Sequence, residues 1–442
     1  MIYLDHAATS PMPVDVCEAY VEALALVGNP SSIHSAGQRA RAMLDDARAR
    51  IAATLGVDAI ELTFTGGGTE AVNLGIKGLF WARNAGAGAG AWAVPGGVAL
   101  GGAVPGGVAQ GSAVQGEADA RPRPRILAPR TEHHAALDAL EWLAAHERAE
   151  ITWLSVDALG RLRLDAVADA LGDGSDVALL TMLHANNEVG TLQPVDEVAA
   201  LAAAVGVPVH VDAIAAYGQV RLDPLPHAVS AVSISAHKIG GPVGVGALML
   251  RRTAEVVPLL HGGGQQRGRS GTMDAAGAAA FAIAAERAHR ELADRSAHKR
   301  GLRVRLAEGI RRAVPHVVLR GAAGASATEP DVARAAALDA LALPGTLHFT
   351  VPGAEGDSLL MLLDSQGIAV STGSACQAGV PEASHVLLAM GLSGADARGA
   401  LRVTLGPATT ADEVDALLTA LPEAVKRAQA AGLAGRTPRL GR

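Results

Sequence analysis

Short apolar runs alternate along most of the chain with longer segments whose apolar residues recur at helical spacing. The runs predict strands over residues 62–65, 125–129, 151–155, 177–182, 208–212, 231–235 and 247–250. Between most of them lie Ala-rich amphipathic stretches such as 38–55, 135–147 and 195–204, which predict helices. Alternation of this kind implies an α/β domain: a mainly parallel sheet of seven strands with helices on both faces. After His261 the pattern changes. A long helical stretch over 274–314 precedes sparser strands at 347–351, 368–371 and 401–405, which read as a smaller α+β domain. The expected division is a large domain over 15–262 and a small one built from 1–14 and 263–442. Ligands of open parallel sheets bind outside the carboxyl ends of the strands, so residues just after the strands carry the functional argument.

Composition narrows the classes. The chain has 442 residues, 49% hydrophobic and 18% charged, which is ample for a large core. The apolar content is Ala, Val and Leu, with only 4 Phe, 4 Trp and 3 Tyr, which is poor material for stacking on nucleic-acid bases. A net charge of −7 argues against nucleic acid or an anionic membrane as the main partner. Two cysteines, Cys17 and Cys376, exclude a disulfide framework and a multi-thiolate zinc site, and no metal is expected. The opening Met1-Ile-Tyr-Leu-Asp-His has no basic region followed by a long apolar run, so a cytoplasmic location is the expectation. Residues 85–116 lack any charge, yet they are mostly Gly and Ala, are broken by Pro95 and Pro105, and contain a near-repeat starting at Val94 and again at Val104. A membrane span is rejected on that composition, and 85–123 is expected to be a flexible surface insertion.

Chemistry collects after the strands. Ser235-Ala-His237-Lys238 closes one of them. A lysine at the mouth of a buried strand suits a Schiff-base amine, the alternative being an ordinary strand-end lysine. Asp212 ends another apolar strand, and a buried carboxylate needs a cationic partner such as a protonated pyridine nitrogen, unless it merely caps a helix. In Thr65-Gly-Gly-Gly68-Thr69-Glu a strand enters a glycine loop that opens a helix, which is an anion site or a tight turn capped by Thr69. The loop lacks a Walker lysine and a dinucleotide fingerprint, so a cofactor's phosphate monoester fits better. His133, in Thr131-Glu-His-His, has an imidazole able to stack on a ring or move a proton. Asn186-Asn187 offers amides or forms a turn. Cys376 lies between Gly373 and Gly379 and reads as a reactive nucleophile or carrier, whereas Cys17, in the helical run 14–26, reads as a small buried hydrophobe. Arg402, on a β-type run, is a carboxylate clamp or a structural cation.

Taken in order, these residues resemble the cysteine desulfurases, pyridoxal-phosphate enzymes of the class V aminotransferase group. The resemblance rests on Tyr3-Leu-Asp-His-Ala-Ala-Thr-Ser-Pro, Gly28-Asn-Pro-Ser-Ser-Ile-His, Thr65-Gly-Gly-Gly-Thr-Glu, Thr131-Glu-His-His-Ala, Ala185-Asn-Asn-Glu-Val-Gly, His210-Val-Asp-Ala, Ser235-Ala-His-Lys, Arg269-Ser-Gly-Thr, Thr372-Gly-Ser-Ala-Cys and Leu401-Arg-Val-Thr-Leu-Gly. It implies the type I fold of pyridoxal-phosphate-dependent transferases and a homodimer. It further implies that Lys238 bonds to pyridoxal 5'-phosphate, Asp212 pairs with its ring nitrogen and His133 stacks on it. Gly68, Thr69, Ser235 and His237 would bind the phosphate, with Thr272 reaching in from the other subunit. Asn186 and Arg402 would hold the carboxylate of L-cysteine, and Cys376 would take its sulfur as a persulfide, leaving L-alanine. The persulfide would pass to an acceptor protein such as an iron–sulfur scaffold or a tRNA-thiolation protein. Two departures stand out. Ala215 occupies the place of a usual Gln that donates to the cofactor's phenolic oxygen, and the 262–272 loop is one residue short. The rival readings are a selenocysteine lyase, a sulfinate desulfinase or an aminotransferase on the same scaffold, or a catalytically impaired sulfur-relay scaffold.

Overall fold

The computed structural model describes residues 1–85, 122–373 and 383–434. Most of the expected flexible insertion, and Cys376 with its neighbours, lie outside the described residues.

The strands in chain order are β1 (Ile2–Tyr3), β2 (Leu62–Thr65), β3 (Arg125–Pro129), β4 (Glu150–Leu154), β5 (Val177–Leu183), β6 (Val209–Asp212), β7 (Val229–Ser235), β8 (Gly246–Leu250), β9 (Val318–Arg320), β10 (Thr346–Thr350), β11 (Ile368–Ala369) and β12 (Ala400–Thr404). Seven of them form one sheet in the order β2-β8-β7-β6-β5-β3-β4. The neighbours from β7 through β4 pair in parallel, and β8 alone runs against the rest. Strand β5 is buried at every position, as a strand covered on both faces requires. The expected strands all occur, with ends moved by one or two residues. Strands β1 and β9 were not anticipated; they have 2 and 3 residues, too few to show a period.

The covering helices follow their own local signals. Helix Ser35–Leu55 starts where the His34 ring accepts from the Gly37 N–H and ends at Gly56, whose φ of 64° suits the left-handed cap. Its buried stripe runs Ala40, Leu44, Ala47, Ile51 and Leu55. Helix Ala275–Arg290, capped by Asp274, packs against that stripe with alanines that let the two axes lie close. Arg50 and Glu286 join the pair at the surface through a 2.6 Å ion pair.

Two expectations are corrected. The helical stretch 274–314 breaks at Glu291 into Ala275–Arg290 and Leu292–Ala313. The first piece, with Met273, packs into the core under the large sheet, while the second packs with β10, β12 and Leu4 in a separate core. The buried face therefore changes partner at Glu291, a point that a continuous helical pattern hides. Cys17 is exposed rather than buried. Val16 takes the inward position on helix Val14–Leu24, so the adjacent thiol faces outward.

The second core joins a three-stranded antiparallel sheet, β12-β10-β9, to the helix Ala411–Ala434. The amino terminus belongs to this region. β1 pairs with β11, and Leu4 exchanges backbone hydrogen bonds with Ala369 and Thr404. Among the described residues no helix is long and apolar enough to cross a membrane.

Phe281 is fully buried, and its ring meets Tyr217 edge-on at 6.2 Å between centroids. Phe281→Ala should lower the unfolding free energy by about 3–5 kcal/mol, read from a denaturant titration followed by circular dichroism. A loss under about 1 kcal/mol would mean that this contact is not part of a packed core.

Candidate active site

Five chain segments reach the same edge of the large sheet: the turns after β2, β3, β5, β6 and β7. They do so because these strands run in the same direction. Between this edge and the small sheet lies a cavity of about 400 Å³. Its wall includes Gly68, Thr69, His133, Asp212, Ala215, Ser235, His237, Lys238 and Arg402. Residues separated by hundreds of positions therefore face one space.

Asp212 ends β6 with its carboxyl buried, and among the described residues it accepts only the Ile214 N–H, at 2.9 Å. Burial pushes its pKa up to about 6, against the lowering effect of that N–H and of Lys238. Lys238 sits on the next strand over, in the short turn Ala236–Lys238 that follows β7. Its ammonium donates to the carbonyls of Ala7 at 2.5 Å and Ala8 at 3.0 Å. The amino-terminal segment thus lies across the lysine as a strap, and Ser10 ties it down through hydrogen bonds to the carbonyls of His237 and Lys238.

The glycine loop is shaped by exclusion. Gly67 has φ 135°, open to glycine almost alone, and a Cβ on Gly68 would lie 2.4 Å from the Ile214 side chain. Helix Gly68–Asn84 starts there with no side-chain cap on its first N–H groups. Ser235 stands beside Gly68, and among the described residues its buried hydroxyl has no partner. His237 also faces the cavity; burial and Lys238 push its pKa down to about 4, so it is neutral at physiological pH. Bare helical N–H groups, a free hydroxyl and a neutral imidazole form an anion cradle.

His133 caps helix His134–Glu147, its Nδ1 accepting from the Ala135 N–H at 3.0 Å. That bond assigns the ring proton to Nε2. Burial, then Lys238, push the imidazole down to about 4. Asn186 is spent on its own turn. Its Oδ1 accepts from the N–H groups of Glu188 and Val189, both at 2.9 Å, and its Nδ2 donates to the Thr131 carbonyl. The neighbouring Asn187 lines the cavity, with a buried Oδ1 that has no partner among the described residues. Asn187 rather than Asn186 is part of the cavity wall, and Asn186 holds the turn that presents it. Arg402 donates to the Asn187 carbonyl at 2.9 Å and pairs with Asp5 at 2.8 Å, and its buried Nε is unpartnered.

A sequence model of the aminotransferase class-V family matches residues 2–89 and 108–417. The chain belongs to the class-V aminotransferases. The interruption of the match falls inside the Gly/Ala-rich stretch. Within this family the chain is 45% identical over 436 residues to the IscS-like cysteine desulfurase of Mycobacterium tuberculosis, covering 98% of each. It is 32% identical over 428 residues to a cysteine desulfurase IscS of Clostridium botulinum, covering 96% of this chain and 94% of that one. A solved NifS-like protein superposes with a TM-score of 0.78 at 29% identity, over 96% of this chain and 99% of the other. SspA in complex with cysteine superposes with 0.69 at 26% identity, over 93% and 100%.

Among the described residues, Thr272, like Asn186, is an expected site residue that is not part of the cavity wall of this single class-V chain. Thr272 is exposed on the loop before helix Ala275–Arg290. Cys376 lies outside the described residues, but the residues that flank its segment are placed. Gly373 lines the cavity, and a Cβ on it would lie 3.0 Å from Glu188, which also accepts from the Ser384 hydroxyl at 2.5 Å. Both flanks therefore meet at one buried carboxylate.

Sequence reasoning missed the Ala7–Ala8 carbonyls, Gln219 and Glu132. The strap motif was visible, but backbone carbonyls carry no side-chain signal. Glu132 is fully buried behind His133; its Oε1 accepts the Leu183 N–H, its Oε2 is unpartnered, and burial pushes its pKa up to about 8.

The raised pKa of Asp212 has a stability consequence. Between the ordinary carboxylate range and about 6 the folded chain holds a proton that the unfolded chain has released, so stability falls as pH rises through that window. Asp212→Asn in the cofactor-free protein should raise stability at pH 7 by on the order of 1–3 kcal/mol, with the gain vanishing in acid below the unfolded carboxylate pKa. Denaturation of both proteins across pH tests this; a variant less stable at pH 7 would contradict it.

Proposed function

We propose that the chain is a cysteine desulfurase that binds pyridoxal 5'-phosphate in this cavity, converts L-cysteine to L-alanine and carries the sulfur as a persulfide on Cys376. The observation that carries the reading is one cavity walled at once by Lys238, by the buried Asp212 and by a glycine-lined anion cradle with an orphaned Ser235 hydroxyl. The names of relatives at 32% and 45% identity support it.

The residues fit the cofactor. Ser235 has a free buried hydroxyl where a phosphate oxygen needs a donor, and Gly68 leaves no side chain in the way. Gly68, Thr69, Ser235 and His237 would hold the phosphate, Asp212 the ring nitrogen, His133 the ring face, and Lys238 the aldehyde carbon. When bound, the group supplies an electron-withdrawing ring conjugated to the substrate's Cα. Asp212 would keep the ring nitrogen protonated, because a buried carboxylate favours a cationic partner. Lys238, which lines the same cavity, would serve as base and acid for a proton at Cα. His133 stays neutral, with Nε2 bearing its proton. Arg402 and Asn187 face the same space for the substrate carboxylate. The Cys376 thiolate forms a bond to the substrate sulfur as the sulfur–carbon bond breaks; the carbon keeps the electron pair, takes a proton and leaves as alanine.

We further propose a homodimer in which the exposed Thr272 completes the partner's phosphate cradle, and transfer of the persulfide to an acceptor protein. The reading places the enzyme in the cytoplasm. The alanine at position 215 lines the cavity without a polar group; it would remove a donor to the cofactor's phenolic oxygen and so alter the proton balance there, but no group that breaks a bond.

Purified protein should show a visible absorption band from bound cofactor, and Lys238→Ala should abolish it. Cys376→Ser should keep the band, yet its sulfide release from cysteine under reductant should fall by at least about 100-fold. Sustained sulfide release by Cys376→Ser would refute the role of that thiol. Preferential turnover of selenocysteine by the same variant would favour a lyase.

A further inference from the structure

Lys299 is among the largest fully buried side chains of the described residues, and the chemistry above does not use it. It lies on helix Leu292–Ala313, where its neighbours Leu302 and Leu306 fill the second core. Burial, with Arg295 adding repulsion, pushes its amine down to about 7. A buried amine of this kind destabilises a fold unless a polar partner compensates it.

That partner is Gln219. The Lys299 ammonium donates to Gln219 Oε1, and one turn earlier on the same helix the Ser296 hydroxyl donates to the Gln219 backbone carbonyl at 3.2 Å. One helix thus fixes both the main chain and the side chain of a single residue. The turn that carries Gln219 is seated from the other side as well. Tyr217 is buried, its hydroxyl bonded to Thr54 at 2.6 Å, and Gly218 has φ 70° with no room for a Cβ against Ile239.

The orientation of the amide follows from its partner. Lys299 Nζ donates to the amide oxygen of Gln219, so that oxygen faces Lys299 and the NH2 faces away. Gln219 lines the cavity together with Asp212, Ala215 and Lys238, and among the described residues its Nε2 has no hydrogen-bond partner. Ala215, on the same turn, offers only a methyl group to that space. The turn therefore presents one side-chain donor to the cavity, and it is held in place from the second core.

Resting on the functional reading above, we propose that Gln219 donates from its amide nitrogen to an oxygen of the bound cofactor or of the substrate, and that Lys299 is the positioning residue that aims it. The shared chemistry is an anionic or carbonyl oxygen at the Ala215 end of the cavity. This contact makes the ligand read the seating of the helix Leu292–Ala313.

The test uses the holoenzyme and the variants Gln219→Leu, Gln219→Glu and Lys299→Met. Gln219→Glu keeps the shape and an oxygen for Lys299 but has no NH2 to donate, so it separates donation from packing. If the acceptor belongs to the cofactor, both Gln219 variants shift the visible band of the resting enzyme or the pH at which that band changes. If it belongs to the substrate, the resting spectrum stays as in wild type and KM for cysteine rises roughly tenfold, the worth of one lost hydrogen bond. Lys299→Met should reproduce the same kind of change in smaller measure, and the Lys299→Met, Gln219→Leu double variant should be no worse than Gln219→Leu alone. A Gln219→Glu enzyme with wild-type spectrum and KM overturns the proposal. A Lys299→Met enzyme that loses stability but keeps the wild-type spectrum and KM overturns the positioning role. A wild-type protein that takes up no pyridoxal phosphate would instead remove the functional reading, and this inference with it.

Discussion

A carboxylate and an amine end adjacent parallel strands, and both face one space. The rest of the site follows from that constraint. Strands β6 and β7 run side by side in the same direction, so the residues that follow them emerge on a common edge. Asp212 is buried at one tip, and Lys238 is bent inward by a short turn at the other. The glycine loop after β2 reaches the same edge only because two antiparallel pairings, β7 with β8 and β8 with β2, restore its direction. Reversing any one of these strands would carry its functional residue to the opposite rim of the sheet.

Burial, more than charge pairing, sets the electrostatics. The imidazoles of His133 and His237 are both pushed down to about 4, so neither adds a cation at neutral pH. Arg402 is matched by Asp5. Among the described residues, Arg402 with Asp5 is an ion pair at the cavity, whereas Lys238 donates to the Ala7 and Ala8 carbonyls and Asp212 accepts from the Ile214 N–H. A negatively charged phosphate placed there would meet hydrogen-bond donors rather than a cluster of fixed cations, which would give orientation in addition to attraction.

Most of the fold was legible in the sequence because strands buried on both faces leave unbroken apolar runs, and the seven of the large sheet were all visible. So were Lys238, Asp212, His133, Gly68 and Ser235, since each directly follows or ends such a run. What stayed hidden shares a different trait. The Ala7 and Ala8 carbonyls act through backbone atoms. Lys299 occupies a helix position that reads as solvent-facing until the second core is in place. Asn186 and Asn187 are adjacent and chemically alike, and only the turn they share decides which one faces the cavity. Cys17 and Val16 differ by one step around a helix, a distinction finer than the period of a short segment. The change of core at Glu291 was masked by uninterrupted helical spacing.

The strap across Lys238 also bears on when the site exists during synthesis. The Ala7 N–H is bonded to the Thr404 hydroxyl, 397 positions away, and the Thr404 N–H is bonded to the Leu4 carbonyl. On a ribosome, the first residues made must wait for nearly the last before they have a seat. Until then the lysine lacks the two carbonyls that hold it, and the cavity lacks the wall formed by β12. A half-made chain can assemble its large sheet but cannot close the chamber above it. A nucleophilic amine is therefore confined to its niche only when the polypeptide is almost complete.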